Sequence, residues 1–379
     1  MLNGNWDQTL WADENGQAEL PHKDWIDAAT PETPVYVIRL DGHMGLANSK
    51  ALEIAGITKD TPVPEGGEIM RDENGELTGI LKGAALNLIL EKIPAPSDDE
   101  LMEQFALAQT HALSLGLTKI HAVTAYPTET TMLDIFQMAR NKDIMKLRAQ
   151  VSTPLESWEL MAKASENGTG DELLRWGGVK GFMDGSLGSR TAWMSKPYTD
   201  DPSTRGLPMG DLNEQFQLMV KAEQAGLELS IHAIGDEAIA KLAKSYLEIG
   251  ALGSTEGRYR IEHFQHPSET MINILGGSNV IISVHPYHAI DDGRWAEERI
   301  GKERLKTTYP FRAILDEGGI MTFGSDWPVA PLNPMDGIYA AVTRRTLDDK
   351  NPDGWIPEQK ITVEEALTCL LYTSDAADD

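Results

Sequence analysis

From about Gly116 onward the chain repeats one pattern. A short run of β-branched and apolar residues ends in polar or charged ones, and a helix-compatible stretch follows. The runs cover 117–125, 146–152, 178–184, 227–233, 258–264, 279–285 and 319–326. The stretches between them include 213–225, rich in Met and Gln and ended by Gly226, and 236–250. Strands alternating with helices predict parallel βαβ units. No glycine-rich phosphate fingerprint follows the first run, so nothing supports a dinucleotide-binding fold.

The leading segment, 1–115, differs. It reads as a strand over 35–40, a turn-rich stretch over 62–79 and a helix over 97–115, opened by Ser97 and Glu100 as a capping box. The polar residues that end the later runs are not random. His232, His263, His285 and Asp326 each stand where a run stops, and the run over 178–184 carries Lys180 within it and Asp184 at its end. In a (β/α)8 barrel the strand ends form one rim and bear the chemistry. The expected fold is therefore an α/β TIM-type barrel that is incomplete at both ends, the first strand lying outside this sequence. Residues 1–368 would form a single domain, with 1–115 a lid or insertion between the first and second strands and 116–368 holding strands two to eight.

Strand parity points two of these groups inward. Leu227, Leu229 and Ile231 alternate with Glu228, Ser230 and His232, so an outer apolar face leaves His232 on the inner one. Met321 and Phe323 share one parity, while Thr322 and Gly324 share the other with Asp326.

Charge and composition narrow the partners. No apolar run approaches the roughly 18 residues that span a bilayer. A net charge of −26 disfavours nucleic acid and anionic membrane alike. The single Cys excludes a disulfide framework and a thiolate zinc ribbon. Residues 369–379 read as a non-native tail translated from a sequencing adapter; without them the balance is −23 and no Cys remains. The opening Met1–Trp6 has neither a basic n-region nor an apolar h-region, and it starts as though mid-domain. A fragment open at both ends, from a cytoplasmic protein, is the expectation.

Imidazoles, a carboxylate and a strand lysine converging on one opening suit a divalent metal, since these are the donors zinc takes where thiolates are lacking. A metal lowers the pKa of its water to about 7, and a nearby carboxylate can relay the proton to a leaving amine. At this point the residues carry a resemblance. Val179-Lys180-Gly181-Phe182-Met183-Asp184-Gly185-Ser186-Leu187-Gly188-Ser189-Arg190-Thr191-Ala192, Ile231-His232-Ala233-Ile234-Gly235-Asp236, Arg260-Ile261-Glu262-His263 and Gly324-Ser325-Asp326-Trp327-Pro328-Val329 resemble the amidohydrolase superfamily. The likeness is to its amidohydrolase 3 branch, which contains the YtcJ-like proteins and the N-substituted formamide deformylases. Asp41-Gly42-His43 with Asn48-Ser49, and the stretch from Asp291-Asp292 to Arg299, belong to the same pattern.

The resemblance implies a metal-dependent hydrolase that uses one or two divalent ions, zinc foremost. It makes His232 and His263 metal ligands, Asp326 ligand and general base, and Lys180 the lysine that two-metal members carry as a bridging carboxylated side chain. Whether Lys180 is carboxylated or forms an ion pair with Asp184 or Glu262 stays open. The superfamily's His-x-His pair is absent and is expected upstream, so this piece should bind metal poorly and be inactive. His285 and His288, three apart, would face opposite sides of a continuing strand; both can ligate only if the strand has ended. They are read as lining the site or touching substrate, and His43 as lining the site or sitting in a turn. Arg190 either binds a substrate carboxylate or, preferably, holds the Asp184 loop. Trp6, Trp11 and Trp25 read as core or lid.

The expected reaction is cleavage of a carbon–nitrogen bond in a small amide, formamide or cyclic amide. Ester or phosphotriester hydrolysis, or a catalytically silent barrel with a regulatory or binding role, are the alternatives. The expected partner is a small amide-type molecule, with neither nucleic acid nor membrane, and the sequence is compatible with a homo-oligomer.

Overall fold

The computed structural model describes residues 6, 8–11, 19–39, 44–64, 67–124, 131–252 and 258–371. Two compact units emerge, Met1–Ser97 and Asp98–Asp379. The helix expected over 97–115 forms as Asp98–Ser114 and belongs to the second unit.

The first unit is built on a four-stranded antiparallel sheet. Its strands are β1 (Tyr36–Ile38), β2 (Met44–Ala47), β3 (Gly67–Arg71) and β4 (Leu77–Gly83), in the order β1-β2-β4-β3. The stretch read as turns over 62–79 is thus largely a hairpin, closed where Asp72 accepts from the N–H groups of Asn74 and Glu76. Its strands escape a periodicity reading because Glu68, Arg71 and two glycines break the apolar alternation. Asn48 of the Asn48-Ser49 pair is fully buried. It caps the helix Ser49–Ala55 by accepting from Ala51 N–H, and its amide donates to the carbonyls of Thr30 and Thr33. A buried amide with all these partners fixes chain direction, so this motif is structural here.

The second unit holds β5 (Lys119–Val123), β6 (Arg148–Pro154), β7 (Leu174–Phe182), β8 (Glu228–Ala233), β9 (Tyr259–His263), β10 (Ile281–Val284) and β11 (Ile320–Phe323). Each of the seven expected runs overlaps one of them, with β6 running on to Pro154 and β7 starting early at Leu174. They form a single seven-stranded parallel sheet in the order β5 to β11, curled into a half-barrel. Leu229, Ile231, Ile261 and Ile282 are at most 1% exposed and belong to the apolar core of this unit. Burial of each such side chain stabilises the fold by about 1.5–3 kcal/mol. The other parity is polar. Phe182, His232, Glu262, Ser283 and Thr322 stand level across five strands, with Lys180, Ser230 and Arg260 level beneath them.

Helices follow their sequence signals. Asp211 accepts from the N–H groups of Asn213 and Glu214 to start Leu212–Gln224, and Gly226, in the left-handed region at φ 77°, turns the chain into β8. The last helix, Val363–Leu371, runs into the stretch expected to be a non-native tail, and Cys369 is buried there; residues 372–379 of that tail lie outside the described residues. Among the described residues, no helix is long and apolar enough to cross a membrane.

Candidate metal centre

The rim formed by the C-terminal ends of β7 to β11 gathers most of the titratable groups singled out in the sequence. β9 alone would not deliver His263. By alternation Arg260 and Glu262 face inward and His263 outward. His263 and Phe264 instead adopt left-handed backbone, φ 76° and 46°, which swings the imidazole to within 4.4 Å of the His232 ring, centroid to centroid. Asp326 is also left-handed, at φ 59°. Non-glycine residues held there cost of order 1–3 kcal/mol each and persist only where surrounding contacts impose them.

Where the strands stop decides two placements. β11 stops at Phe323, so Asp326 reaches the rim from a loop and not by strand parity. β10 stops at Val284, with His285 the N-cap of the helix Pro286–Asp292 and His288 in its first turn. The condition under which both could face one site is therefore met: their ring centroids lie 5.4 Å apart. His263, His285 and Asp326 each bring a ligand atom to within 4.8 Å of the others. His288 Nε2 lies 3.6 Å from Asp326 Oδ2. His232 and Lys180, expected as ligands, stand beside that triple and not within it.

The hydrogen bonding separates these residues. His232 Nε2 donates to Gly185 O at 3.0 Å and lies 3.5 Å from Asp184 Oδ1, which leaves Nδ1 as its lone-pair nitrogen. Asp184, fully buried, accepts from the N–H groups of Trp193, Ile234 and Gly235 at 2.8, 3.0 and 2.8 Å. It ties the loop after β7 to the loop after β8. In contrast, His263 Nδ1, His285 Nδ1 and His288 Nε2 are buried without any hydrogen-bond partner. Buried polar atoms without partners are rare in native folds and costly. His263, His285 and Asp326, whose ligand atoms converge, form a donor set that fits a divalent cation.

Electrostatics agree. Burial first, then the neighbouring cations and imidazoles, hold His263 well below its usual pKa. Burial likewise lowers His232 to about 3 and His288 to about 4, so all three are neutral imidazoles at pH 7. Lys180 is 5% exposed, with its ammonium 4.8 Å above the Phe182 ring and no carboxylate within 4 Å among the described residues. Burial, helped by Arg260, lowers its pKa against the pull of Glu262 and Asp326.

Beneath the rim lies an ion pair between Arg260 and Glu262, of which the sequence marks only Glu262, as one option for Lys180. Arg260 Nε donates to Glu262 Oε1 at 3.1 Å and Arg260 Nη2 to Ser283 Oγ at 3.0 Å, while Glu262 Oε2 is 4.0 Å from His285 Nε2. Burial would raise the Glu262 pKa, yet Arg260, Lys180 and His285 bring it down to about 2. The signal was its place in the same parity and register as His232. Arg190 turns elsewhere: it donates to both oxygens of Asp200 at 3.2 and 2.8 Å, fastening the loop that follows Asp184. His43 lies outside the described residues.

The family model described as "Amidohydrolase family" matches residues 2–378. The chain is similar to Protein LONG AFTER FAR-RED 3 of Arabidopsis thaliana, at 36% identity over all of the chain and 65% of the relative. It is similar to the putative amidohydrolase YtcJ of Bacillus subtilis, at 30% identity over 98% of the chain and 73% of the relative. It is also similar to the N-substituted formamide deformylase of Arthrobacter pascens, at 27% identity over 94% and 66%. Among solved structures, a metal-dependent hydrolase of Pyrococcus horikoshii superposes with a TM-score of 0.78 at 28% identity, covering 96% of the chain and 71% of that structure. The chain thus spans about two thirds of the length of these relatives. With the motifs, the parallel half-barrel and the family match in agreement, the chain belongs to the amidohydrolase family.

Proposed function

We propose that this chain is the greater part of a metal-dependent hydrolase that cleaves a carbon–nitrogen bond in a small amide, formamide or cyclic amide. The observation that carries the reading is the set of unpartnered imidazole nitrogens on His263, His285 and His288 beside Asp326. The Arthrobacter relative, a formamide deformylase by name, supports the substrate class. The residues that would hold a divalent ion, zinc being the one these donors favour, are His263, His285 and Asp326, with His232 through Nδ1 and Lys180 at its edge. Such an ion, when bound, polarises a carbonyl and lowers the pKa of water to about 7.

The chain's own groups do the rest. Asp326 accepts a proton from the attacking water and passes it to the departing nitrogen; such transfers contribute about 10²–10⁴-fold. His288, neutral and 3.6 Å from Asp326, orients that carboxylate. Asp184 fixes the His232 tautomer through the shared backbone knot. Lys180, whose charged form burial disfavours, is available for carboxylation. The same reading closes the half-barrel to a (β/α)8 barrel, with a strand ahead of Trp6 that brings the His-x-His pair between β11 and β5. It also treats 369–379 as non-native.

The test uses the full-length protein with zinc, manganese or cobalt and a panel of N-formyl amines, N-acetyl amines, cyclic amides, aryl esters and phosphotriesters. Amide cleavage that a chelator abolishes and the metal restores is the expected result. Turnover indifferent to chelation would overturn the metal reading, and esters or phosphotriesters cleaved in place of amides would overturn the bond assignment.

A further inference from the structure

Behind the rim lies a buried network that the proposed chemistry does not use. Tyr309 is 1% exposed and left-handed at φ 48°. Its hydroxyl donates to Asp292 Oδ2 at 2.6 Å and accepts from the side-chain amide of Gln265. Its own N–H donates to Gln265 O at 2.7 Å. Arg344, fully buried, donates from Nη1 to Tyr309 O at 3.0 Å and from Nε to Trp355 O at 2.7 Å. The Tyr309 ring also packs edge-on against His266, whose Nδ1 meets Thr308 Oγ1 at 3.0 Å.

The partners matter by position. Gln265 lies two residues after His263, at the strained exit of β9. Asp292 ends the helix Pro286–Asp292, whose start bears His285 and His288. One hydroxyl therefore joins the two segments that carry the unpartnered imidazoles.

We infer that Tyr309 is a positioning residue, whose hydroxyl clamps the β9 exit at Gln265 to the helix end at Asp292 and so sets the separation of His263 from His285 and His288. The inference rests on the proposed metal centre for its consequence, but the clamp itself is a property of the chain. Left-handed backbone at His263 and Phe264 needs outside restraint, and the double hydrogen bond to Gln265 supplies it. Burial keeps the Tyr309 phenol protonated and hence a donor. The Asp291-Asp292 motif, which the sequence marks and the chemistry leaves unused, gains a role as the far anchor of this clamp.

The experiment compares Tyr309→Phe, Asp292→Ala and Asp292→Asn in the full-length protein. Zinc affinity is read by chelator competition, melting temperature is measured on the zinc-free chain, and imidazole nitrogen NMR signals of the zinc-free chain are recorded. Tyr309→Phe and Asp292→Ala are expected to weaken zinc binding by about 10–100-fold, the range for groups that orient ligands. Asp292→Asn keeps an acceptor oxygen and should stay near wild type. The His263 and His285 ring signals should move in the first two variants and hold in the third. Lower melting temperatures with unchanged zinc affinity and unchanged ring signals would overturn the clamp and leave Tyr309 a packing residue. A wild-type protein that binds no zinc would sink the metal centre alone. The ring signals would then decide the clamp: shifts in Tyr309→Phe uphold it, and their absence overturns it.

Discussion

At the exits of β7 and β8, Asp184 and His232 spend their hydrogen-bonding capacity on the protein: three backbone N–H groups on the carboxylate and one carbonyl on the imidazole. At the exits of β9 to β11, imidazoles of similar burial leave nitrogens unpartnered around Asp326. The residue types are the same and the sheet is continuous, yet one corner is finished by the fold and the other is finished only by something added. Burial of a histidine or aspartate is thus no guide to its role. The decisive question is whether its polar atoms are already answered.

That contrast can be broken most sharply at Asp326. In the full-length protein, Asp326→Asn should lower kcat by at least about a hundredfold with little change in folding; steady-state kinetics with a thermal melt checks it, and near-normal turnover refutes the proton-relay role. The opposite is expected across the rim. Asp184→Ala strips acceptors from three buried N–H groups, each costing about 1–3 kcal/mol. A destabilisation of about 3 kcal/mol or more should show in urea unfolding, and a loss below about 1 kcal/mol would show that the knot is dispensable.

Acid should sharpen the difference further. Burial depresses His232 and His266 to about 3, His288 to about 4, and His263 well below its usual value. The unfolded chain takes up protons near pH 6.5 that these folded histidines refuse, so their contribution is lost as pH falls below about 6.5. Asp184 and Asp292, raised to about 7 by burial, act the other way, giving stability at low pH that is lost as pH rises through about 7. Four histidines outweigh two carboxyls, so the metal-free protein should be less stable at pH 5 than at pH 7 in urea titrations. Saturating zinc should steepen that dependence. The smallest effect is expected outside both corners. Arg190→Ala removes a partly exposed ion pair with Asp200, costing less than about 1 kcal/mol and leaving KM for a neutral amide unchanged. A large rise in KM would return Arg190 to substrate binding.

Much of this was legible in the sequence. Seven apolar runs ending in polar residues marked seven parallel strands, because buried parallel strands need continuous apolar side chains. The inward face of β8 followed from simple alternation. Three things were not legible. The hairpin of β3 and β4 hides its period behind Glu68, Arg71 and glycine. The places of His285 and Asp326 depended on where strands stop, which hydrogen bonding to neighbours decides and local composition does not. His263 depended on a left-handed backbone that no pattern of hydrophobicity announces. Arg260 and Glu262 were visible as alternating charges, but their meaning required the register that sets them level with Ser230 and His232.

The order of the large sheet has a consequence for how the molecule is made. Each strand from β6 to β11 pairs with the strand that precedes it in the chain, so the partner it needs has always been synthesised before it. A nascent polypeptide can therefore extend the sheet one crossover at a time, closing a short loop at each step at modest entropic cost. At any moment a single growing edge awaits its next strand, which limits the sticky surface that an unfinished chain presents to its neighbours on a polysome.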